Sequence, residues 1–119
     1  MSEKIYITTP AYYVNDIPHI GHAYTSVAAD VLARYWRRKL GENGQVFLLT
    51  GTDEHGVKIA RAAEAAGQKP EKFTDKMSEK FRGLKKALNL SWDDFIRTSD
   101  KKRHWPGAQK LWLRLYDAG

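Results

Sequence analysis

Two histidines three residues apart, His19 and His22, have the side chains best suited to chemistry in this sequence. Residues at this spacing share one face of a helix. At a helix N-terminus, where the backbone dipole is positive, two imidazole N–H donors suit a phosphate that gains negative charge during a displacement. Gly21 between them removes a side chain, so a flat ring such as a purine can lie against the backbone. The alternative is a pair of surface histidines with a packing glycine.

A second polar run, Gly51 to Gly56, contains Asp53 and His55. Carboxylates and imidazoles are usual zinc ligands, so His19, His22, Asp53 and His55 leave a zinc-dependent hydrolase open as another interpretation. The chain has no cysteine, which excludes disulfides and thiolate metal sites and is typical of a cytoplasmic protein.

The elements that must position these side chains alternate between strand and helix. The apolar run Lys4–Thr9 predicts a buried strand that Pro10 stops, and residues 45–50 predict a parallel strand covered on both faces. A right-handed crossover between them places both polar loops at the same edge of the sheet. The sequence therefore predicts an α/β fold, with a short parallel sheet flanked by helices and one active site at its edge.

A long helix is predicted from His19 to about Leu40, ended by Gly41. Turn-forming residues precede it: Asn15, Asp16 and Pro18. Its apolar positions predict one buried stripe, formed by Ile20, Ala23, Tyr24, Val27, Val31, Leu32 and Tyr35.

Further helices are predicted up to about Ala66, over residues 70–88 and over residues 100–116, with a short strand at 94–98. The helix over 70–88 is predicted to bury Phe73, Met77, Phe81, Leu84 and Leu88. The last helix is predicted to bury Trp105, Ala108, Trp112 and Leu115. Three short parallel strands with an open edge make the chain look unfinished.

The net charge of +6 arises entirely after residue 68. A basic half can attract nucleic acid, although lysine-rich helix faces are more often solvated surface. No apolar run has the length of a membrane span or of a secretion signal, so we expect no membrane association.

The tetrapeptide His19–His22, which follows the first predicted strand, resembles the His-Ile-Gly-His signature that marks the ATP site of the class I aminoacyl-tRNA synthetases. The tetrapeptide stands unaltered at His19–His22. Thr8–Asp16, Leu49–Gly56 and Asp93–Thr98 resemble the methionyl branch of that family in particular. The resemblance covers essentially the whole chain, and it implies the first half of a Rossmann-like nucleotide-binding fold.

The resemblance also implies a role for individual residues. His19 and His22 match the histidines that contact ATP phosphates and stabilise the adenylation transition state, and Gly21 matches the glycine beneath the adenine. Asp53 matches the acid that holds the amino group of methionine. Pro10, Ala11 and Tyr13 match residues that line the methionine side chain, and Tyr12, Asn15 and His55 are further candidate site residues nearby.

The implied reaction is attack of the methionine carboxylate on the α-phosphate of ATP, followed by transfer to the methionine tRNA. Magnesium is expected to arrive with ATP as part of the substrate, and no protein-bound metal is expected in this segment. No enzyme nucleophile is needed, because positioning and charge stabilisation suffice for transfer at phosphorus.

Two departures from the family pattern matter. Ala11 stands where a larger aliphatic residue is usual, which enlarges one wall of the methionine pocket. The connective domain, the second catalytic half with its Lys-Met-Ser-Lys-Ser loop and the anticodon-binding domain are all expected beyond residue 119. Residues 1–119 are therefore expected to be the N-terminal half of the catalytic domain.

The run Lys76–Lys80 looks superficially like that lysine-rich loop, but Met77 falls on the same apolar stripe as Phe73 and Phe81. The run therefore predicts the middle of a helix. Two more interpretations stay open: a module that binds nucleotide or methionine without complete catalysis, and another adenylyl-transferring enzyme.

Overall fold

Strands and helices alternate along the chain, and the strands form one parallel sheet. The computed structural model describes residues 3–119. The strands are β1 (Glu3–Tyr13), β2 (Gly44–Asp53) and β3 (Asp94–Arg97), in the spatial order β1–β2–β3. The helices are α1 (Ile20–Leu40), α2 (Val57–Ala65), α3 (Pro70–Ala87) and α4 (Trp105–Ala118), with a single 3-10 turn at Gly41–Asn43. The predicted α/β class and order of elements are confirmed.

Helices α1 and α3 both pack on the same face of the sheet. Leu48 of β2 packs against Ala33 of α1, whereas Thr52 of the same strand shares a hydrogen bond of 3.1 Å with Ser78 of α3. Leu48 and Thr52 point the same way because side chains alternate along a strand. Phe47 points the opposite way and is 44% exposed. The prediction that β2 is covered on both faces is therefore wrong within residues 3–119.

A bulge in β1 decides which side chains reach the core. Three steps along β1, from Thr8 to Ala11, match only two steps along β2, so one extra residue is inserted beside Pro10. An extra residue reverses the alternation of side chains beyond it. Tyr12 consequently points into the core and is buried, while Tyr13 beside it is only partly buried. The prediction that Pro10 stops the strand is wrong, because a proline at a bulge needs no ladder donor.

Helix α1 buries a different face from the predicted one. Its buried residues are Ser26, Asp30 and Ala33, while Ile20 is 87% exposed. The two polar residues are satisfied: Tyr12 and Ser26 share a hydrogen bond of 2.8 Å between their hydroxyls, and Asp30 accepts two from Ser91 at 2.6 Å. Burial without loss of hydrogen bonds makes this polar face compatible with a core.

Helix α3 follows the prediction more closely. Phe73 and Phe81 are buried, Met77 is partly buried, and Lys76 and Lys80 are exposed. The run Lys76–Lys80 is thus helical, as predicted. Helix α4 differs, because none of its residues is buried. The predicted burial of Trp105, Ala108, Trp112 and Leu115 is wrong in this structure. No helix within residues 3–119 has both the length and the apolar character to cross a bilayer.

Candidate active site

The two histidines form the N-terminal cap of α1. His19 is the N-cap residue, and its Nδ1 accepts a hydrogen bond of 3.1 Å from the backbone N–H of Gly21. His22 reaches back, so that its Nδ1 accepts a bond of 3.0 Å from the backbone N–H of His19. This reciprocal arrangement is a capping box made of imidazoles instead of a hydroxyl and a carboxylate.

The capping bonds fix the tautomer of both rings. A neutral imidazole carries one proton, and a nitrogen that accepts a hydrogen bond cannot hold it. Both Nδ1 atoms accept, so the proton of each neutral ring lies on Nε2. Within residues 3–119 neither Nε2 has a hydrogen-bond partner, and the two ring centroids are 3.8 Å apart. The site therefore presents two adjacent N–H donors at a positive helix end, which suits an anion such as a phosphate.

Two aromatic rings from other elements hold His22. The ring of Tyr12 in β1 meets it edge-on, with centroids 5.1 Å apart, and the ring of Phe81 in α3 does the same at 4.9 Å. Burial lowers the pKa of His22 below its ordinary value, and the nearby charge of His19 lowers it further. Both causes favour the neutral ring that the capping bond requires.

Gly21 leaves room for the imidazole of His19. A Cβ atom at Gly21 would lie 2.9 Å from Cε1 and 3.0 Å from Nδ1 of His19, closer than side chains normally approach. The lack of a side chain is therefore needed by the cap itself. A purine at this position would be a second reason for glycine.

Asp53 and Tyr13 lie side by side at the ends of β2 and β1, where they are partners in the parallel register. Asp53 is half-buried, and the only hydrogen bond of its side chain within residues 3–119 is a long one of 3.4 Å from the hydroxyl of Thr98. Its carboxylate is thus free to bind a cation. Tyr13 extends over Gly56, where a Cβ would lie 2.5 Å from the tyrosine oxygen. The φ angle of Gly56, +124°, also favours glycine.

The remaining predicted site residues differ in accessibility. Pro10, Ala11, Asn15 and His55 are exposed, while Tyr12 is buried and contacts His22. His55 Nε2 lies 3.3 Å from the carbonyl oxygen of Thr98, the same residue whose hydroxyl contacts Asp53. The carboxyl ends of adjacent parallel strands feed both loops, so they share one edge of the sheet.

A zinc site is not supported by this arrangement. Within the described part of the chain, residues 3–119, no group of three histidine, aspartate or glutamate side chains is placed to hold a metal ion. His19, His22, Asp53 and His55 therefore do not form one ligand set.

Glu54 is a residue of this loop whose role the sequence did not indicate. Its side chain is fully buried and accepts two bonds from Arg97, at 2.8 and 2.9 Å, and further bonds from the hydroxyls of Thr52 and Ser99. Arg97 also contacts Asp75 of α3. These bonds tie the loop that carries Asp53 to β3 and α3.

The pKa values of Glu54 and Arg97 shift in opposite directions. Burial opposes the charge of Glu54, but the bonds from Arg97, Ser99 and Thr52 outweigh it and lower the pKa of Glu54. The bonds to Glu54 raise the pKa of Arg97 in turn. Both groups therefore stay charged. The one sequence signal for this pair is an arginine that directly follows the two apolar residues of a short strand.

Comparison with known proteins gives consistent results across the chain. Residues 5–119 match the family model described as "tRNA synthetases class I (M)". The chain is 54% identical to the methionine–tRNA ligase of Rickettsia conorii over 119 residues, which is all of this chain and 23% of that protein.

Solved structures also match over almost the whole chain. The methionyl-tRNA synthetase of Mycobacterium tuberculosis in complex with methionyl-adenylate has a TM-score of 0.90 and 43% identity, over 98% of this chain and 22% of that one. The leucyl enzyme of Agrobacterium radiobacter K84, in a ternary complex with tRNA, has a TM-score of 0.77 and 27% identity, over 99% of this chain and 15% of that one. The chain thus spans less than a quarter of the length of the proteins it matches.

Proposed function

Because the chain belongs to the methionyl group of the class I tRNA synthetases, we propose that it supplies the histidine pair and the amino-acid pocket with which the whole enzyme activates methionine. The observation that carries this proposal is the imidazole capping box, with two free Nε2–H donors at the start of α1. A sequence match alone would not require the two donors to be adjacent and in the same tautomer.

The proposed reaction is attack of a methionine carboxylate oxygen on the α-phosphorus of ATP. An O–P bond forms, the bond to the β-phosphate oxygen breaks, and pyrophosphate leaves with the negative charge. His19 and His22 donate from Nε2 to the phosphate oxygens on which charge accumulates. The neighbour solved with methionyl-adenylate holds the product of this same step.

Methionine is proposed to lie against the end of β1, beside Asp53. The carboxylate of Asp53 makes only one long hydrogen bond within residues 3–119, so it can accept a charge-assisted hydrogen bond from the ammonium group of the amino acid. Tyr13 gives an aromatic wall for the thioether, and Pro10 and Ala11 are exposed beside it. Tyr12 is buried and contacts His22, so we assign it to the support of the histidine and not to methionine.

Other parts of the proposal concern the whole protein. Mg²⁺ enters as part of the ATP substrate, bound chiefly by its phosphates. The methionine tRNA accepts the activated amino acid, in the cytoplasm. Residues 1–119 form the first half of the nucleotide-binding domain, and the connective, second catalytic and anticodon-binding parts belong to the remaining length of the relatives.

The test is methionine-dependent exchange of labelled pyrophosphate into ATP by this chain. His22→Ala is expected to abolish most of the exchange while methionine binding stays within about twofold, because the removed donor acts on phosphate. His104→Ala is the matched control, since His104 lies in the turn before α4, outside the site.

The outcomes separate the alternatives. Exchange that His22→Ala removes and His104→Ala preserves supports the proposal. Equal loss of exchange and of methionine affinity in His22→Ala would show that the residue is only structural. ATP binding by calorimetry without any exchange would favour a nucleotide-binding module that lacks complete catalysis.

A further inference from the structure

Phe81 joins α3 to the first turn of α1 through aromatic contacts. It is 2% exposed and belongs to none of the motifs in the sequence. Its ring meets that of His22 at an angle of 79° and stacks on that of Tyr12 at 26°, with centroids 5.7 Å apart. His22 therefore stands at right angles to a stacked pair of buried rings.

The orientation of the His22 ring must come from its neighbours. The torsion that turns an imidazole about its Cβ–Cγ bond has a broad, roughly two-fold preference, so the side chain alone does not distinguish the two flipped states. A flip would exchange the ring edge that carries Nδ1 for a carbon edge and break the bond from the backbone N–H of His19. That N–H therefore selects between the two flipped states, while the rings of Tyr12 and Phe81 fix the plane in which the imidazole lies.

We propose that Phe81 is a positioning residue for His22, holding its imidazole so that Nδ1 accepts the capping bond and Nε2–H faces the reacting phosphate. Edge-to-face packing is directional, unlike aliphatic contact, so the ring of Phe81 restricts rotation as well as filling space. A group held by locked neighbours keeps the precise geometry that transition-state stabilisation requires. The phosphate in this proposal rests on the proposed function, while the orientation of the ring does not.

The matched control for Phe81 is Phe73. Both are phenylalanines of α3, both are buried in the same hydrophobic cluster, and Phe73 is 5% exposed. Among the described residues, however, Phe73 has no aromatic contact with His22. Replacing either phenylalanine therefore reduces core packing, but only replacing Phe81 removes an aromatic contact with His22.

The experiment compares Phe81→Leu with Phe73→Leu by ¹⁵N nuclear magnetic resonance of the histidine rings, at a pH above the His22 pKa. Leucine retains an apolar side chain of similar bulk, so both variants are expected to fold, which far-ultraviolet circular dichroism checks. The unmodified chain is expected to show His22 with its proton on Nε2. Phe81→Leu is expected to shift the ¹⁵N signals toward a mixture of tautomers, and Phe73→Leu is expected to leave them unchanged.

Two outcomes would overturn the proposal. The first is an unchanged His22 tautomer in folded Phe81→Leu, and the second is an equal shift in Phe73→Leu, which would indicate a general loosening of the core. Since magnetic resonance needs no ATP, this result stands whether or not the chain catalyses exchange.

Pyrophosphate exchange gives the second measurement. We expect kcat in Phe81→Leu to fall by about 10- to 100-fold with KM for methionine unchanged, the result of misplacing a group that acts on phosphate. An unchanged kcat despite a shifted tautomer would overturn the link to catalysis. Lack of exchange in the unmodified chain would instead show that residues 1–119 do not complete the activation step on their own, and the tautomer would still decide the role of Phe81.

Discussion

The backbone N–H of His19 donates a hydrogen bond of 3.0 Å to Nδ1 of His22, so the histidine pair both caps α1 and presents its N–H donors. The same neutral tautomer serves both purposes. A proton on Nδ1 of either ring would turn an acceptor into a donor and break the cap. The stability of the first turn of α1 and the readiness of the site are therefore linked through one protonation state.

This link predicts a dependence of stability on pH. The pKa of folded His22 lies below the ordinary value of 6.5, so between the two values the unfolded chain binds more protons than the folded one. The contribution of neutral His22 is complete above about pH 6.5 and declines as the pH falls toward the lowered pKa. Urea unfolding at about pH 7.5 and about pH 5.5 should show this loss.

His22→Gln provides the control, because glutamine does not titrate and is a favoured residue at this position of a capping box. The loss of stability between the two pH values should be smaller in His22→Gln than in the unmodified chain. Equal losses would mean that other groups cause the pH dependence.

A second prediction concerns Gly21→Ala. A Cβ would lie 2.9 Å from the ring of His19, so the ring must move and the bond from the N–H of Gly21 must weaken. Alanine normally stabilises a helix by up to about 1 kcal/mol relative to glycine, and loss of a cap costs about the same, so we expect little net gain. Gly83→Ala, in the middle of α3 with no atom within 4 Å of the added Cβ, should be stabilised by about 0.5–1 kcal/mol.

Thermal unfolding and pyrophosphate exchange measure the two effects separately. Exchange should fall in Gly21→Ala and persist in Gly83→Ala. A gain in stability at Gly21 equal to that at Gly83, with exchange intact, would show that the cap does not need glycine.

The order of the elements could be predicted because each element is determined by its own short stretch of sequence. Apolar runs give β1 and β2, and Gly41 and Pro70 mark helix ends within a residue or two. The buried face of α1 could not be predicted in this way. Asp30 can be buried because Ser91, 61 residues away, donates two hydrogen bonds to it in addition to the bond from Arg34. The hydrophobic periodicity of α1 contains no information about partners so distant in sequence, and it therefore predicted the wrong buried face of this helix.

The residues of the candidate site also divide into those that the sequence could predict and those that it could not. His19, His22 and Asp53 could be identified from motifs, since each lies in a short run of sequence with a recognisable pattern. Phe81 and Arg97 act on those runs from other elements. Nothing in their immediate sequence reveals the partner, because the contact exists only once the sheet and α3 are assembled.

A third prediction concerns the buried pair of Glu54 and Arg97. Glu54→Gln removes the charge that Arg97 neutralises and leaves Asp75, an exposed residue, as the only charged partner of that arginine within residues 3–119. Breaking a buried pair costs about 3–5 kcal/mol, and we expect about 2–3 kcal/mol here because Arg97 is partly exposed and keeps Asp75. Urea unfolding measures this cost, with Glu79→Gln as the control, since its exposed pair with Arg82 should contribute less than about 1 kcal/mol.

The same pair predicts an acid dependence. Because the pKa of folded Glu54 is lowered from 4.5, its contribution is complete above that value and is lost as the pH falls through the lowered pKa. The difference in unfolding free energy between the unmodified chain and Glu54→Gln should therefore shrink in acid. A difference that is small at neutral pH, or that does not change in acid, would contradict the stabilising role of the pair.

The last prediction tests the methionine pocket through Asp53→Asn. Asparagine keeps the size of the side chain but loses the negative charge, so the ammonium group of methionine loses a charge-assisted bond. We expect the Kd for methionine, measured by calorimetry, to rise by about 10- to 100-fold. Stability should hardly change, since Asp53 has only the long 3.4 Å bond from Thr98 to lose. Asp117→Asn, on exposed α4, is the control for loss of a carboxylate. An unchanged Kd would refute the role of Asp53 in binding the amino group, and a loss of stability matching the loss of affinity would make Asp53 a structural residue of the loop.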